Sequence, residues 1–421
     1  MNVSVSPTPL PYSSYVSSGL TADQEILLHE LKLKIALGVE GIAFDEAELA
    51  KFPIGTDYLE QIHLLFDMNK RHHADIRLPA SFWLPHGLFC AFRWDPDSRI
   101  RLKEENGKPV LYRGQERLAE IAFYQRSELL DRNTSDGESF SHIAAFTPEG
   151  GVVVCFCNEC DLKQTGDDCK YCNINSTADA YRKDSIFLKT PRQVGEVYAE
   201  AYKRHLANHI NLTGGFIPER REVEYYLDVA DEIKNRTGVA EIYGTAVIGA
   251  PLDLKVIEHY RQAGYTTMAM NLEIWDKDVF KAMCPGKQKR CGGWDHWVKA
   301  LETAAEVFGR GNVRSNIVAG IEPKESILEG VEYLASKGVL CYAGAWCPNP
   351  GSALEGHRTP EVDWHYDLTL KIAAIFRRYG YATEQLYGGA GASGPFHDAF
   401  RILGGEHDGD KLPQYKHPVR A

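Results

Sequence analysis

The sequence predicts an α/β fold: a (β/α)6-type partial TIM barrel with a mainly helical N-terminal extension. From about residue 148, short β-branched runs alternate with amphipathic stretches of helix length. Glycines follow the ends of several of these stretches, as C′ glycines do. No GxGxxG fingerprint follows the first run, which favours a barrel over an open dinucleotide-binding sheet.

Six runs are candidate strands of the barrel, and apolar stripes at helical spacing lie between them. The candidate strands are 152–156, 209–214, 240–248, 266–272, 313–320 and 339–345.

Upstream, Thr21 and Gln24 resemble a capping box that opens a helix, and a second helix is predicted over 57–72. We therefore divide the chain into a flexible arm (1–20), an N-terminal extension (21–147), a barrel (148–385) and a C-terminal tail (386–421).

Composition narrows the functional classes. The chain has 421 residues and a net charge of −11, which argues against nucleic acid as the main partner, because phosphate binding needs an excess of Lys and Arg. No apolar run is long enough to span a membrane, and the N-terminus lacks the basic and apolar regions of a signal peptide. Its ten cysteines, clustered and without a secretory signal, indicate metal ligands in a reducing cytoplasm.

Five of these cysteines crowd behind the first predicted strand: Cys155, Cys157, Cys160, Cys169 and Cys172. Two interpretations compete. The pairs Cys157/Cys160 and Cys169/Cys172 form two CxxC knuckles, which suit structural zinc or a rubredoxin-like iron. Alternatively, Cys160, Cys169 and Cys172 alone bind a [4Fe–4S] cluster and leave one iron open. Cys157 is then a bystander, and Cys155 belongs to the core.

The position of the loop favours the second interpretation, because active sites of such barrels lie at the carboxyl ends of the strands. Here the sequence resembles the radical S-adenosylmethionine (SAM) superfamily, whose first strand is followed by a Cx3CxΦC loop with Φ aromatic. Cys169-Lys170-Tyr171-Cys172 matches the second half of that motif, whereas the first spacing is eight residues instead of three. The resemblance covers roughly 150–380 and is greatest to the biotin synthase-like branch.

The resemblance also implies SAM contacts. Gly214 and Gly215 occupy the place of a Gly-Gly-Glu-like turn that receives the methionine amino group, although the acid is missing. Asn271 and Glu273 end the fourth strand, where ribose or carboxylate contacts occur. Gly320 and Glu322 loosely match a GxIxGxxE stretch that supports adenine. Each pair also has a purely structural explanation. The glycines could form a tight turn, Asn271 and Glu273 could lie at a solvated strand end, and Glu322 could be an acidic residue in the first turn of a helix.

What the resemblance implies chemically is a [4Fe–4S] cluster that cleaves SAM reductively, and a 5′-deoxyadenosyl radical that abstracts hydrogen from a small-molecule substrate. The reaction subtype stays open among sulfur insertion, rearrangement and group transfer, and no catalytic residue is assigned. An electron donor such as flavodoxin or ferredoxin is implied as a partner, and a cytoplasmic location is expected.

Further side chains could take part. An auxiliary iron–sulfur cluster could use the four downstream cysteines, and two groups of polar residues could meet substrate or an anionic group. The cysteines of the possible auxiliary cluster are Cys284, Cys291, Cys341 and Cys347. The residues that could meet substrate are His357, Arg358, Asp363 and His365. The residues that could meet an anionic group are Lys287, Lys289 and Arg290. Two other function classes remain: a barrel with a four-cysteine zinc knuckle, and an iron–sulfur carrier without SAM turnover.

Overall fold

The computed structural model describes residues 19–44, 46–52, 60–61, 77–78, 81–147, 150–174, 188–207, 209–348, 351–387 and 394–405. Most of the expected arm, most of the helix expected over 57–72 and the Gly388–Gly391 run lie outside these ranges. Within 57–72, Glu60 and Gln61 are described, and they form a short strand instead of a helix because they pair with Arg77 and Leu78.

The strands are numbered in chain order. They are β1 Glu60–Gln61, β2 Arg77–Leu78, β3 Ser81–Trp83, β4 Phe89–Ala91, β5 Ile100–Glu105, β6 Lys108–Arg113, β7 Glu116–Glu120, β8 Ala122–Phe123, β9 Ala145–Phe146, β10 Gly151–Cys155, β11 His209–Thr213, β12 Ile242–Val247, β13 Tyr265–Ala269, β14 Val313–Ala319 and β15 Val339–Ala345.

The helices are α1 Ala22–Glu40, α2 Glu46–Leu49, α3 Phe140–Ile143, α4 Asp161–Gln164, α5 Pro191–Lys203, α6 Glu219–Thr237, α7 Val256–Ala263, α8 Lys277–Met283, α9 Pro285–Arg290, α10 Gly293–Phe308, α11 Lys324–Ser336, α12 Val362–Arg378, α13 Thr383–Tyr387 and α14 Pro395–Gly404. A 3-10 turn covers Glu128–Asp131.

The main sheet has the strand order β15-β14-β13-β12-β11-β10-β9. Strands β10 to β15 are mutually parallel and follow one another in sequence, with helices between them, as in a partial barrel. These six strands confirm the six sequence predictions, with ends shifted by a few residues. The antiparallel edge strand β9, which pairs with β10, was not expected.

Each barrel strand has one face under the helices and one face toward the interior of the sheet. Val152, Val154, Ile210 and Leu212 are fully buried on the helix-covered face. Their neighbours alternate to the other face, as the two-residue period of a strand requires. The carboxyl ends of all six strands therefore meet at one rim, where their loops can form a site.

Glycines end the covering helices as predicted. Gly238 and Gly264 cap α6 and α7 in the left-handed conformation, and Gly309, Gly338 and Gly380 also have positive φ at or just after helix ends. Glycine adopts this conformation at little cost because it has no Cβ atom, so these glycines mark the ends of the helices.

Among its described residues, the N-terminal extension has one long helix, α1, at its start, and only short helical turns after it, which corrects the prediction of a mainly helical extension. Thr21 and Gln24 form the predicted capping box of α1. Afterwards the described elements are mostly strands, which form three small antiparallel sheets. The cause is local: Ile100 and Leu102 are buried while Arg101 and Lys103 are exposed, and the Asn106-Gly107 turn has positive φ at both residues. Side chains that are alternately buried and exposed, followed by an Asn-Gly turn, favour a β-hairpin.

Helix α1 packs on the C-terminal helices. Lys34 in α1 and Asp398 in α14 form a buried ion pair of 2.5 Å, and the Gln24 amide donates to the carbonyl of Ile402 at 2.7 Å. The two ends of the described chain thus lie against each other. No helix in these described ranges is long and apolar enough to cross a membrane.

Candidate cluster and SAM site

The cysteine loop leaves the carboxyl end of β10 and is fixed to the neighbouring strand β11. The Phe156 amide donates to the carbonyl of Thr213 at 2.8 Å, and the Gly215 amide donates to the carbonyl of Cys157 at 2.7 Å. Farther along the loop, the Asp161 amide donates to the carbonyl of Phe216 at 2.8 Å. The first part of the loop is therefore anchored to the turn after β11.

A second anchor holds the later part of the loop against α8 and α9. The Lys170 amide donates to the carbonyl of Met283 at 2.9 Å, and the Gly286 amide donates to that of Asp167 at 2.9 Å. Lys289 pairs with Asp167 at 2.6 Å, and Arg290 pairs with Asp161. Two of the three basic residues near the expected mouth thus secure the cysteine loop.

Two glycines allow these close approaches. A Cβ atom on Gly215 would lie 2.7 Å from the carbonyl carbon of Glu159 and closer still to its oxygen. A Cβ atom on Gly286 would lie 2.5 Å from the carbonyl oxygen of Asp167. Gly214 faces the ring of Phe156 at a similarly short distance. In this structure the Gly214-Gly215 pair is the surface on which the cysteine loop rests.

Cys160, Cys169 and Cys172 are half-buried on this loop. Cys160 precedes α4, and the Cys172 amide closes a turn onto the Cys169 carbonyl at 3.1 Å. Burial, followed by the charges of nearby Cys169 and Cys160, raises the pKa of the Cys172 thiol to about 12, so the three sulfurs are electrostatic neighbours. Such a thiol ionises readily only when a metal binds it.

The other two cysteines of the group point to backbone oxygens. The Cys157 thiol lies 3.5 Å from the carbonyl of Glu159, and the Cys155 thiol lies 3.5 Å from that of Cys157. Burial raises the pKa of Cys155 to about 12.

Opposite the cysteines lies an ammonium group whose role sequence reasoning did not resolve. Lys287 Nζ donates to the carbonyl of Asn271 at 2.7 Å and to Glu273 Oε1 at 3.0 Å. It also lies 4.4 Å above the ring of Trp297. Burial lowers the pKa of Lys287, but Glu273 and then Cys169 outweigh it, so the pKa is raised and the side chain stays charged. The only sequence signal was its basic character.

Glu273 adopts an uncommon backbone conformation, with φ of 76°. Its amide donates to the carbonyl of Asn316 at 2.8 Å, and its own carbonyl accepts from Val318 at 2.8 Å. These bonds to β14 hold the residue in the left-handed region, which costs about 1–3 kcal/mol for a non-glycine residue. The carboxylate is thereby turned toward Lys287.

Glu322 is buried and already hydrogen-bonded through both oxygens. Oε1 accepts from the Trp275 amide at 2.8 Å, and Oε2 accepts from the Asp276 amide at 2.7 Å. Gly320 has φ of 113°, and a Cβ atom there would lie 2.6 Å from Pro360. Both residues shape the turns that follow β13 and β14.

The downstream cysteines have different neighbours. The Cys284 thiol lies beside the cysteine loop, with its sulfur 3.8 Å from the Tyr171 hydroxyl. Cys341 is fully buried beside Ser315, and Cys347 lies 3.7 Å from the carbonyl of Gly38 in the extension. Among the described residues, no group of three or more His, Cys, Asp or Glu side chains is arranged to hold a metal ion.

Two of the rim residues have structural partners. Asp363 forms an exposed ion pair with Lys32 at 2.6 Å. His365 is buried beside Thr359 at 3.0 Å, and burial, followed by the charge of Lys324, lowers its pKa to about 4. His365 is therefore neutral at pH 7.

The interior face of the sheet carries polar side chains that sequence reasoning missed. Asn211, Thr245 and Thr267 are paired in register on this face. Thr245 Oγ1 lies 2.9 Å from His209 Nε2 and 2.6 Å from Thr267 Oγ1. On β14, Asn316 Oδ1 accepts from the Gly344 amide at 3.2 Å. The alternation of these polar residues with apolar ones was the available signal.

The residues present fit a [4Fe–4S] cluster. Three half-buried thiols on one loop are electrostatic neighbours, and in a cubane each thiolate binds a different iron, so they need not converge on one point. The nearby Lys287 ammonium would offset the negative charge of thiolates that bind such a cluster.

Comparison with known proteins identifies the family that this part of the chain resembles. The family model described as the radical SAM superfamily matches residues 154–334. Bacteriochlorophyllide c C-7(1)-hydroxylase of Chlorobaculum limnaeum is 25% identical over 69% of this chain and 76% of its own length. The 5-amino-6-(D-ribitylamino)uracil–L-tyrosine 4-hydroxyphenyl transferase of Methanopyrus kandleri is 30% identical over 31% of this chain and 36% of its own.

Among solved structures, methylornithine synthase (PylB) matches with a TM-score of 0.43 and 14% identity, over 67% of this chain and 79% of that one. The hydrogenase maturase HydG from Carboxydothermus hydrogenoformans matches with a TM-score of 0.40 and 17% identity, over 54% and 51%. The sequence match at residues 154–334 begins in β10, whose end carries the cysteine loop, and ends in α11. The chain therefore carries a radical SAM domain at these residues.

Proposed function

We propose that this enzyme binds a [4Fe–4S] cluster through Cys160, Cys169 and Cys172 and uses it with SAM to abstract hydrogen from a small organic substrate. The observation that carries the proposal is the position of the cysteine loop and the hydrogen bonds that anchor it. The loop lies at the carboxyl ends of the parallel strands, held by the turn after β11 on one side and by α8 and α9 on the other.

The residues around Lys287 are our candidates for the amino-acid end of SAM. A zwitterionic group needs both a cation and an acceptor, and Lys287 with Glu273 offers both within 3.0 Å of each other, beside Cys169. Asn271 lies at the same rim. Gly214 and Gly215 would contribute backbone carbonyls.

Gly320 and Glu322 would shape the turns that border the adenosine end of SAM. Because both oxygens of Glu322 accept backbone amides at 275 and 276, this carboxylate would fix the turn that borders the site. It would not need to contact SAM.

When bound, the cluster and SAM supply a 5′-deoxyadenosyl radical. The chain's own contribution is to orient the substrate and exclude water. Asn211, Thr213 and Asn316 on the interior face offer donors and acceptors for a polar substrate, and the helices cover the opposite face of the sheet.

The names of two relatives support a small-molecule substrate. One is described as a bacteriochlorophyllide hydroxylase and the other as a transferase acting with tyrosine. The feature that these two relatives share, a reaction on a small organic molecule, is the one that we propose for this enzyme. Hydroxylation thus joins sulfur insertion, rearrangement and group transfer as a candidate outcome. A one-electron donor of the flavodoxin or ferredoxin type would drive turnover.

The test is an anaerobic purification of wild type, Cys169→Ala and the matched control Cys347→Ala, a half-buried cysteine that contacts the extension. We expect brown wild-type and control proteins that form 5′-deoxyadenosine with dithionite and SAM, and a Cys169→Ala variant that loses both properties. A colourless wild-type protein with stoichiometric zinc would favour the zinc knuckle. A labile cluster that transfers to acceptors without SAM cleavage would favour a carrier.

A further inference from the structure

Trp297 is a buried tryptophan of α10 that lies against the residues around Lys287. Its ring faces the Lys287 ammonium, with Nζ 4.4 Å from the ring centroid. Its indole Nε1 donates to the carbonyl of Met270 at 3.3 Å. Met270 directly precedes Asn271, whose own carbonyl accepts from Lys287 at 2.7 Å. One side chain therefore contacts both the ammonium and the segment after β13 to which the ammonium is bound.

The turn between α9 and α10 brings the ring and the ammonium together. Gly292 and Gly293 in this turn both have φ of 77°, which glycine adopts at little cost. The two helices pack on each other, so that Lys287 of α9 meets Trp297 of α10. The amide at position 286 in α9 also donates to the carbonyl of Asp167 at 2.9 Å. The pair is thereby fixed beside the cysteine loop.

The hydrogen bonds of Lys287 leave part of its ammonium available. A lysine ammonium has three N–H donors. Among the described residues, it reaches two acceptors, which are the Asn271 carbonyl oxygen and Glu273 Oε1 at 3.0 Å. One donor therefore remains for a ligand.

Building on the proposed SAM site, we propose that Trp297 is a positioning residue that holds the Lys287 ammonium against Asn271 and Glu273, ready for the carboxylate of SAM. A cation over an aromatic ring is attracted by the negative face of the ring, and tryptophan attracts it most strongly.

The physical reason is preorganisation. A lysine side chain loses much rotamer freedom when it is held in one place. If the ring already holds Lys287 in the free protein, SAM binding does not have to order it. When the ring attracts the ammonium less, fewer molecules have the ammonium in place, and the apparent affinity for SAM falls by the same fraction. Trp297 thus acts through Lys287 and does not itself need to contact SAM.

The experiment replaces Trp297 with tryptophans of increasing fluorine content. Fluorine withdraws electron density from the ring face and weakens its attraction for a cation, while the indole N–H and almost all of the shape remain. Equilibrium dialysis of SAM against the reconstituted, unreduced protein gives the dissociation constant without turnover. We expect it to rise with each fluorine, to about three- to tenfold for the most fluorinated ring.

Trp294 is the matched control. It lies on the same helix, and Lys277 Nζ also lies 4.4 Å from its ring centroid, but the Lys277 side chain is exposed. The same fluorinated tryptophans at position 294 should leave SAM affinity unchanged.

A double-mutant cycle supplies the second test. Trp297→Leu removes the aromatic face and should weaken SAM binding more than Trp297→Phe, which keeps one. In a Lys287→Met background, Trp297→Leu should add little further loss, because both substitutions then remove the same contact. If Trp297→Leu does not fold or load, the fluorinated series decides.

Iron content of the same samples separates the two levels of the proposal. A wild-type protein that holds no cluster, or that holds one and does not bind SAM, would refute the proposed function. Wild-type affinity in loaded Lys287→Met would remove Lys287 from the SAM site, and the inference with it. An unchanged affinity across the fluorinated series at position 297, with Lys287→Met impaired, would overturn the role of Trp297 alone. Equal losses at positions 294 and 297 would also overturn it.

Discussion

Gly215 approaches Glu159 so closely that a Cβ atom at position 215 would lie 2.7 Å from the Glu159 carbonyl carbon and would overlap its oxygen. The contact joins the turn after β11 to the cysteine loop after β10, and the Gly215–Cys157 hydrogen bond of 2.7 Å lies beside it. Any side chain at this position must push the loop away from the strand ends.

We therefore expect Gly215→Ala to lose cluster incorporation and to lower the free energy of unfolding by about 1–3 kcal/mol, the usual range for overpacking. Iron content after reconstitution and urea denaturation measure the two effects. Gly38→Ala is the matched control, because nothing lies within 4 Å of a Cβ atom there. Normal cluster loading of Gly215→Ala would contradict the assigned contact.

Removing the ammonium of Lys287 should weaken SAM binding and destabilise the fold. In Lys287→Met the Glu273 carboxylate, whose side chain is 14% exposed, loses its cation, and breaking a largely buried pair costs about 3–5 kcal/mol. SAM binding to the loaded protein, followed by EPR, and urea denaturation are the measurements. Lys289→Met, at an exposed ion pair, should cost less than about 1 kcal/mol. Equal effects of the two substitutions would argue against a special role for Lys287.

Glu222 should make stability depend on pH. Burial raises its pKa from 4.5 to about 8, although the Gly249 amide, 3.4 Å away, opposes this shift. Between these pH values the folded state holds a proton that the unfolded state releases. Stability is then fully present below about pH 4.5 and falls, by about 1.4 kcal/mol per unit, as the pH rises to 8.

Glu222→Gln should remove this decline, because the amide does not ionise. Urea denaturation at pH 6 and pH 8 is the measurement, and wild type should lose more stability between them than the variant. A wild-type curve parallel to that of Glu222→Gln would show that Glu222 ionises normally.

The Lys34–Asp398 pair should hold the extension on the C-terminal helix. Both side chains are almost fully buried, so Lys34→Met leaves a buried carboxylate without this cation and should cost about 3–5 kcal/mol. The double variant Lys34→Met/Asp398→Leu should recover part of the loss, because an apolar pair needs no compensation for desolvation. Urea denaturation of wild type, both single variants and the double variant gives the coupling energy. A coupling near zero would contradict the assigned pairing.

Much of the fold could be predicted from the sequence because its signals are local. The β-branched runs that become β10 to β15 and the glycines that end helices depend on neighbouring residues. The prediction of a mainly helical extension was wrong, because apolar and charged residues alternate along β5 and the Asn106-Gly107 turn joins β5 to β6 as a hairpin. The pairing of Glu60–Gln61 with Arg77–Leu78 joins segments about sixteen residues apart and has no local signal.

The candidate site divides in the same way. Cys160, Cys169 and Cys172 were proposed from their place after the first strand and from the family resemblance, because spacing alone also allowed a four-cysteine site with Cys157. Lys287 gave no comparable signal, since its contacts with Asn271, Glu273 and Trp297 arise from folding. The closeness of Cys284 to Tyr171 likewise depends on how α8 and α9 pack on the loop.

By itself, the sequence determined that this chain would alternate strands and helices and would present a three-cysteine loop after the first barrel strand. Both properties depend on the types and the spacing of residues that are close together in the sequence. Only the tertiary structure decided that Gly215 carries the loop and that Lys287 faces it. It also decided that backbone amides hold both oxygens of Glu322 and that Cys284 lies 3.8 Å from the Tyr171 hydroxyl. These contacts join residues far apart in the chain, and packing rather than local propensity selects them.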